Sequence, residues 1–354
     1  MSAGGRLRLA RLALGLSQQE LARSAGITRQ AVAGLESGRF EPSLRVALGL
    51  SVTLGQSVEE LFGPEPAAKP LEVTTIDEVA TGSRVVTARV GDRLVAIPLT
   101  GGAASRAGFL PASAQLVGDS AAAPFGPLQP TLVVAGCDPA LPLLEGPLRE
   151  LNPPIGLAWW PCSNGAAVEL AQRGLVHAAA VHHERAAPPP VQEEDTEAGV
   201  VVGFAAWREG LLLEPGTRAG SLLDVSALGL RIVNREPGAQ ARRLLDEGLA
   251  EEGLEASDLR GYETEARGHL QVAAAIRARL ADAGVASEGA ALAHGLRFVP
   301  WTSELCELRI PTSLIESSEV RALLRVLAGS ALRRQLAGLP GYDAAPCGEV
   351  IWAH

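Results

Sequence analysis

Apolar residues in the first sixty positions come in short bursts at helical spacing, each opened by a hydroxyl residue and closed by a glycine. Leu7, Leu9, Leu12, Leu14 and Leu16 suit a first helix ending at Gly15. Ser17 then precedes Gln18-Gln19-Glu20, a capping box in which Ser17 caps and Glu20 reaches back. Leu21, Ala22 and Ala25 form the buried stripe of the second helix, and Gly26 supplies a left-handed turn. Ile27 plugs the core, Thr28 caps a third helix over Arg29 to Ser37, and Gly38 closes it. Pro42-Ser43 opens a fourth helix through Leu54, and Ser57 to Phe62 forms a fifth. The pattern predicts an all-α head over residues 1–62.

The period then changes. Residues 63–70, GPEPAAKP, are Pro-rich and read as a linker. Residues 71–127 alternate, with two β runs meeting at Gly91-Asp92 as a hairpin, and predict a small β-rich connector serving as spacer or dimer surface. From Leu132, strands and helices alternate: TLVVAG is a strand, CDPALPLLEGPLREL a helix, IGLAWWP a strand and SNGAAVELAQRG a helix. VHAAAVHHE is a strand followed by an acidic loop containing Glu193-Glu194-Asp195, which reads as solvated. VVVGFAAWREGLLLEPG reads as a strand pair, and further strand–helix units follow up to a closing helix, SEVRALLRVLAGSALRRQL. This order predicts an α/β body over 128–354 with a mainly parallel sheet and pockets at the strands' carboxyl ends. Helix starts after Gly136, Pro161 and Pro237-Gly238 would offer free amides to an anion there.

Charge adds one distinction. The chain carries −9 overall, but residues 1–62 hold seven arginines against five glutamates, +2, which leaves −11 for the rest. The protein is not a general nucleic-acid coat, yet its head has the sign a local DNA contact needs. Arg6, Arg8 and Arg11 interrupt any apolar signal core, and no run of about 18 apolar residues appears. A cytoplasmic chain with no membrane span is therefore expected. The cysteines 137, 162, 306 and 347 show no CxxC spacing and read as reduced thiols, with Cys137 a buried packing thiol or, as the alternative, a redox- or metal-sensing one.

Two helices joined by a tight glycine turn, the second opened by Thr28-Arg29-Gln30, have helix-turn-helix geometry. The framework over residues 11–43 resembles the Cro and phage-repressor type. That resemblance implies that Gln18 lies against DNA phosphates, that Thr28, Arg29, Gln30 and Ala33 face the major groove, and that Arg39 lies near the backbone. It also implies a structural Arg11–Glu36 ion pair. A homodimer on palindromic double-stranded operator DNA is expected, with recognition helices about 34 Å apart.

The body's motifs are Gly136-Cys137-Asp138, Ser163-Asn164-Gly165, His177 to His182, Asn234-Arg235 through Arg242, Gly268-His269 and the closing Leu339 to Asp343. Together they resemble the type 2 periplasmic-binding-protein-like substrate-binding domain found in prokaryotic helix-turn-helix regulators. The expected class is multidomain: an all-α head, a small β-rich connector and an α/β two-lobed body, with lobe 1 over about 128–198 and 308–354 and lobe 2 over about 199–307. The resemblance implies a small effector, molybdate or another oxyanion, and no cofactor. Ser163, the amides of Gly238, Ala239 and Gln240, and Ser287 would be donors, and Arg235 and Arg242 would add charge. Cys137, Asp138, Asn164, His182 and His269 match other ligand-loop positions. A small metabolite stacked on Trp159, Trp160 or Trp207 is the other reading.

No metal is expected, because adjacent His182 and His183 on a strand point to opposite faces. His177 is expected to satisfy a local corner. No GxSxG, HExxH, Walker or GxGxxG motif pairs catalytic groups. The reading is a ligand-responsive, non-enzymatic transcriptional regulator. The alternatives are a molybdenum-cofactor-related enzyme or delivery protein with an autoregulatory head, or a ligand-independent DNA-binding scaffold.

Overall fold

The structure, a computed structural model, describes residues 3–63, 69–99, 111–185 and 198–353. Most of the expected linker and the Glu193-Glu194-Asp195 loop lie outside the described residues. The chain divides into two compact units, Met1–Lys69 and Pro70–His354.

The first unit has five helices: α1 Ala3–Ala13, α2 Gln18–Ser24, α3 Arg29–Glu36, α4 Leu44–Leu54 and α5 Val58–Phe62. Ser17 and Glu20 form the expected capping box, and Ser57 with Glu60 forms a second at α5. Thr28 caps α3 by accepting the Ala31 N–H at 3.1 Å. Leu7, Leu21, Val32, Leu50 and Leu61 are fully buried together. Leu9, Leu12 and Leu14 are instead half exposed. Within the helix Leu7 points inward, and Leu16, beyond its end, packs against the same core, because near-alternate spacing cannot stay on one face of a helix of 3.6 residues per turn. The helix also stops at Ala13, and Gly15 takes a left-handed turn at φ 68°.

In the second unit, the connector strands are β1 Leu71–Glu72, β2 Thr74–Thr75, β3 Arg84–Val90, β4 Arg93–Pro98, β5 Ala114–Gly118 and β6 Ala121–Pro124. They form one sheet in the order β1-β6-β5-β3-β4-β2. The β3–β4 hairpin turns at Gly91-Asp92 as expected. The sheet is more than a spacer: Ile76, Ala88, Val90, Val95 and Ile97 share a core with Leu132 to Ala135.

The body comprises β7 Thr131–Ala135, α6 Glu145–Arg149, β8 Gly156–Trp160, α7 Asn164–Gln172, β9 Ala178–Glu184 and β10 Ala198–Leu213. Next come α8 Leu222–Ala227, β11 Ile232–Arg235, α9 Gln240–Glu251, β12 Glu265–Ala266, α10 His269–Arg277, β13 Ala283–Ser287 and α11 Glu288–Ala293. β14 Arg297–Pro311, α12 Ser318–Ala328, α13 Ser330–Ala337, β15 Tyr342–Asp343 and β16 Val350–Ala353 complete the unit.

Two departures from expectation shape the site. AGVVVGFAAWREGLLL is a single 16-residue strand, β10, antiparallel to the 15-residue β14 along its length. A Cβ at Gly210 would collide with the Val299 carbonyl, so glycine permits the close approach of the two strands there. The sheet is consequently mixed, in the order β12-β11-β13-β10-β14-β9-β7-β8: β7, β8 and β9 are parallel at one end, and β11, β12 and β13 at the other.

β10 and β14 cross from one end to the other and belong to both. Val202, Phe204, Ala205 and Trp207 pack in the core of the β7–β9 end, whereas Leu211 and Leu213 pack with α8 and α9. The handover between two lobes thus lies inside the strands, near Trp207–Gly210 and Trp301–Glu304, rather than at 198/199 and 307/308.

Candidate functional site

In the head, α3 buries Val32 and Leu35 and leaves Arg29 and Gln30 exposed, with Thr28 exposed just before them and Ala33 half-buried. Arg39 is exposed beyond the helix. The structure thus leaves these five predicted DNA-facing residues accessible. Gln18 differs: its amide donates to Glu36 at 2.9 Å. That bond joins it to the buried Arg11–Glu36 pair, in which Arg11 Nε and Nη2 donate at 2.6 and 3.1 Å and Nη1 donates to the Leu16 carbonyl at 2.6 Å. Gln18 is therefore part of the clamp between α1 and α3.

In the body, a cleft of about 600 Å³ opens between the loops that follow the strands of the two ends of the sheet. Cys137, Trp159, Trp160, Cys162 and Ser163 line one side, and Arg235, Glu236, Gly268 and His269 line the other. Gly136 holds the chain end of β7 open at φ 148°, with the Ala180 carbonyl 2.5 Å from where a Cβ would sit, and this presents Cys137 at the floor.

Five buried side chains converge there. Cys137 Sγ lies 3.1 Å from His182 Nε2 and 3.7 Å from His269 Nε2. His182 Nδ1 is 3.1 Å from Glu304 and 4.0 Å from Glu209, and His269 Nδ1 is 3.5 Å from Glu209. The Ser287 N–H donates to His269 Nδ1 at 3.2 Å, which places that ring's proton on Nε2, toward Cys137. Both Glu209 oxygens and Glu304 Oε1 are buried without a hydrogen-bond partner among the described residues. Buried polar groups are as a rule matched, at about 1–3 kcal/mol for each one left without a partner, which marks this floor as a place where polar chemistry is concentrated.

Burial lifts the Glu209 carboxyl to about 7, with Glu304 adding repulsion, and lifts Asp138 to about 6. Burial also opposes a charged His182, but Cys137, Glu304 and Glu209 outweigh it and hold the ring's pKa well above 6.5. His269 is pushed well below 6.5 by burial, then by Arg235 and His182.

The predicted ligand residues divide. Cys137, Ser163, Arg235 and His269 line the cleft, while His182 and Ser287 stand behind its floor. Asp138 accepts the Ala140 N–H at 2.9 Å and the Tyr342 hydroxyl at 2.7 Å, so it caps its own turn. Asn164 is not a ligand group: its amide clamps the His182 backbone at 2.7 and 3.2 Å. The Ala239 N–H already donates to the Glu236 carbonyl, and Gly238 and Gln240 do not line the cleft. Arg242 is bound to the Arg235 carbonyl and Glu265 and stacks over Tyr262. Trp159 and Trp160 both border the cleft, whereas Trp207 is buried against His182.

Sequence reasoning missed Glu209 and Glu304. Glu209 had a signal, an acidic residue in a largely apolar, buried strand, whereas Glu304 sits among Thr302, Ser303 and Glu307 and had none. His183 turns the other way, toward Glu307 at 3.4 Å.

His177 serves a structural corner, accepting the Val133 N–H on Nδ1 at 3.0 Å. Burial lowers its pKa from 6.5 to about 4. The folded ring stays neutral while the unfolded chain protonates below about 6.5, so its contribution is complete above that pH and is lost as pH falls toward 4. At about 1.4 kcal/mol per unit, the loss reaches at most roughly 3 kcal/mol. His177→Asn, which keeps an acceptor for Val133, is expected to flatten that acid limb. Urea unfolding between about pH 4.5 and 7.5 checks this by tryptophan fluorescence, since all five tryptophans lie beyond residue 150. Overlaid wild-type and variant profiles would contradict it.

Comparison with known proteins follows the same two-part division. The family described as PBP superfamily domain matches residues 146–328, and the helix-turn-helix family matches residues 7–61. The uncharacterized protein YvgK of Bacillus subtilis is 30% identical over 130 residues, covering 36% of this chain and 41% of its own. The match thus spans about two fifths of YvgK. An uncharacterized HTH-type transcriptional regulator of Methanothermobacter thermautotrophicus is 44% identical over 57 residues, 16% of this chain and 83% of its own. The solved tungstate ABC transporter structure from Geobacter sulfurreducens is 11% identical with a TM-score of 0.42, covering 57% of this chain and 96% of its own, and carries no argument about ligand. Among the described residues, no helix is long and apolar enough to cross a membrane. With more than half its length matched, the chain belongs to the PBP superfamily-domain family and carries a helix-turn-helix domain in front of that domain.

Proposed function

We propose that this chain is a transcriptional regulator in which α3 reads operator DNA and the body's cleft binds a small effector that alters DNA affinity. One observation carries the reading. Cys137 Sγ and His269 Nε2 are 3.7 Å apart, although Cys137 follows β7 in one lobe and His269 opens α10 in the other. A ligand seated between them touches both lobes, so its binding energy depends on their closure. A ligand shifts an equilibrium only by its differential affinity for the two states, typically 1–3 kcal/mol in coupled sites.

Charge weighs against the molybdate-type oxyanion that the resemblance implies. Asp77, Glu78, Glu169 and Glu236 line the cleft beside Arg173, Arg235 and Arg267, and Glu209 and Glu304 stand behind its floor. Arg235 is already paired with Glu236 at 2.8 Å. The cleft therefore suits a small polar or cationic effector better than a dianion.

The protein acts on DNA as a dimer in this reading. Leu44, Leu48 and Val52 recur every four residues along α4 and are 73, 52 and 84% exposed, an apolar stripe that one copy leaves in water. Selection of sites from random duplex DNA by the full chain tests both points. A palindrome with half-sites one helical turn apart is expected, and Leu48→Arg should weaken its binding while lowering the sedimenting mass to that of one chain. Recovery of no sequence-specific site would refute the regulatory reading.

A further inference from the structure

We propose that Cys137, His182 and His269 form a binding site for one borderline-soft divalent transition-metal ion, of the zinc class, that bridges the two lobes. This deepens the effector site above and rests on that reading of the cleft. The donor set carries the argument. Cysteine sulfur with two imidazoles suits Zn²⁺ or its later first-row neighbours rather than Mg²⁺ or Ca²⁺, which take oxygen. One ligand atom from each of the three residues lies within 4.8 Å of the others, and all three residues are buried. A tetrahedral ion with bonds of about 2.3 Å to sulfur and about 2.0 Å to nitrogen places those donors about 3.6 Å apart. The observed separations of 3.1 and 3.7 Å fall on either side of that value.

The surroundings supply what metal-bound histidines require. Each ligating ring needs an acceptor for its other N–H, most often a carboxylate. If His182 binds through Nε2, its Nδ1 faces Glu304 at 3.1 Å. If His269 binds through Nε2, its proton moves to Nδ1, which faces the unmatched Glu209 carboxylate at 3.5 Å. The exchange takes the acceptor from the Ser287 N–H and gives Glu209 a donor. A dication would also offset the buried carboxylates. Cys137 and His269 line the cleft, so a fourth ligand, water or a small anion, reaches the ion from there. Glu209 and Glu304 are positioning residues in this scheme.

The test uses the full chain, reduced and stripped with a chelator, titrated with ZnCl₂ against a chromogenic competitor. One ion per chain is expected. Co²⁺ gives a second readout, a sulfur-to-cobalt charge-transfer band that disappears in Cys137→Ser. Cys137→Ser and His269→Gln should each lower zinc affinity at least about 100-fold, and Glu209→Gln and Glu304→Gln about 10- to 100-fold. His183→Gln, on the opposite face of β9, should leave affinity unchanged. Tryptophan fluorescence and binding of the selected DNA confirm that each variant is folded.

Absence of zinc uptake by the folded wild type, or full affinity in Cys137→Ser, overturns the proposal. Equal competition by Mg²⁺ or Ca²⁺ overturns it in favour of an oxygen site at Glu209 and Glu304. Zinc uptake that leaves DNA affinity unmoved upholds the metal site and removes the regulatory reading. A DNA response to another ligand, without zinc uptake, does the reverse.

Discussion

Replacing both Arg29 and Gln30 with alanine is expected to lower affinity for the selected operator about 1,000-fold at fixed salt. Both side chains project from the first turn of α3, opposite the buried Val32 and Leu35. Arginine reads guanine and glutamine reads adenine by paired hydrogen bonds, each worth about 1–3 kcal/mol of discrimination. Two such losses in each half-site of a dimer remove at least about 4 kcal/mol, which is close to three decades. Alanine is a better helix former than either residue, and neither side chain is buried, so head stability should move by less than about 0.5 kcal/mol. Fluorescence anisotropy with labelled operator, beside a circular-dichroism melt, separates the two effects. Affinity within tenfold of wild type would mean that another surface reads the DNA.

Arg11→Ala should unfold the head while leaving the body intact. Arg11 makes a bidentate pair with Glu36, both side chains less than 10% exposed, and also donates to the Leu16 carbonyl. Removing it strands Glu36 with only the Gln18 amide and leaves that carbonyl without its side-chain donor. Breaking a buried pair in this way costs about 3–5 kcal/mol. A domain of about 60 residues has only roughly 3–9 kcal/mol in total.

The same pair makes the head acid-sensitive. Burial alone would raise the Glu36 carboxyl, but Arg11 and Gln18 outweigh it and hold it below 4.5. Its contribution is thus present above about pH 4.5 and lost as pH falls through the lowered value. Far-UV ellipticity and operator binding should both drop in Arg11→Ala, with tryptophan emission unchanged. Arg11→Leu combined with Glu36→Leu should restore much of the helix signal, because apolar replacement of both partners leaves no stranded charge. A fully folded, DNA-binding Arg11→Ala would show the clamp to be dispensable.

The head was legible because its signals are local. Ser17, Thr28, Ser43 and Ser57 each cap a helix within three residues of themselves, and glycines 15, 26, 38 and 55 close turns at positive φ. The leucines at 9, 12 and 14 marked the first helix although they are half exposed, and the helix ends at Ala13, just before Gly15.

In the body, strands could be placed but their connectivity could not. β10 is apolar and buried on both faces over much of its length, and β14 mixes Thr302, Ser303, Glu304, Glu307 and Arg309 with its apolar residues, so periodicity gives neither their full extent nor their neighbours.

The site shows the same limit. Cys137, His182 and His269 were each singled out, but their contacts join residues 45 and 132 positions apart, and only the fold brings them together. Asn164, Ala239 and Arg242 failed as ligand groups because backbone and side-chain partners a few residues or one strand away already occupy them.

The central claim is that occupancy of the floor between the lobes changes how tightly α3 holds DNA. Its most direct test is the operator dissociation constant of the stripped full chain, measured with and without Zn²⁺, in wild type and in Cys137→Ser. A change of at least fivefold is expected on adding the ion to wild type and none in the variant, in keeping with coupling of about 1–3 kcal/mol. A wild-type chain that binds the ion at this site yet holds its operator equally tightly with and without it would show that the cleft and α3 are not coupled.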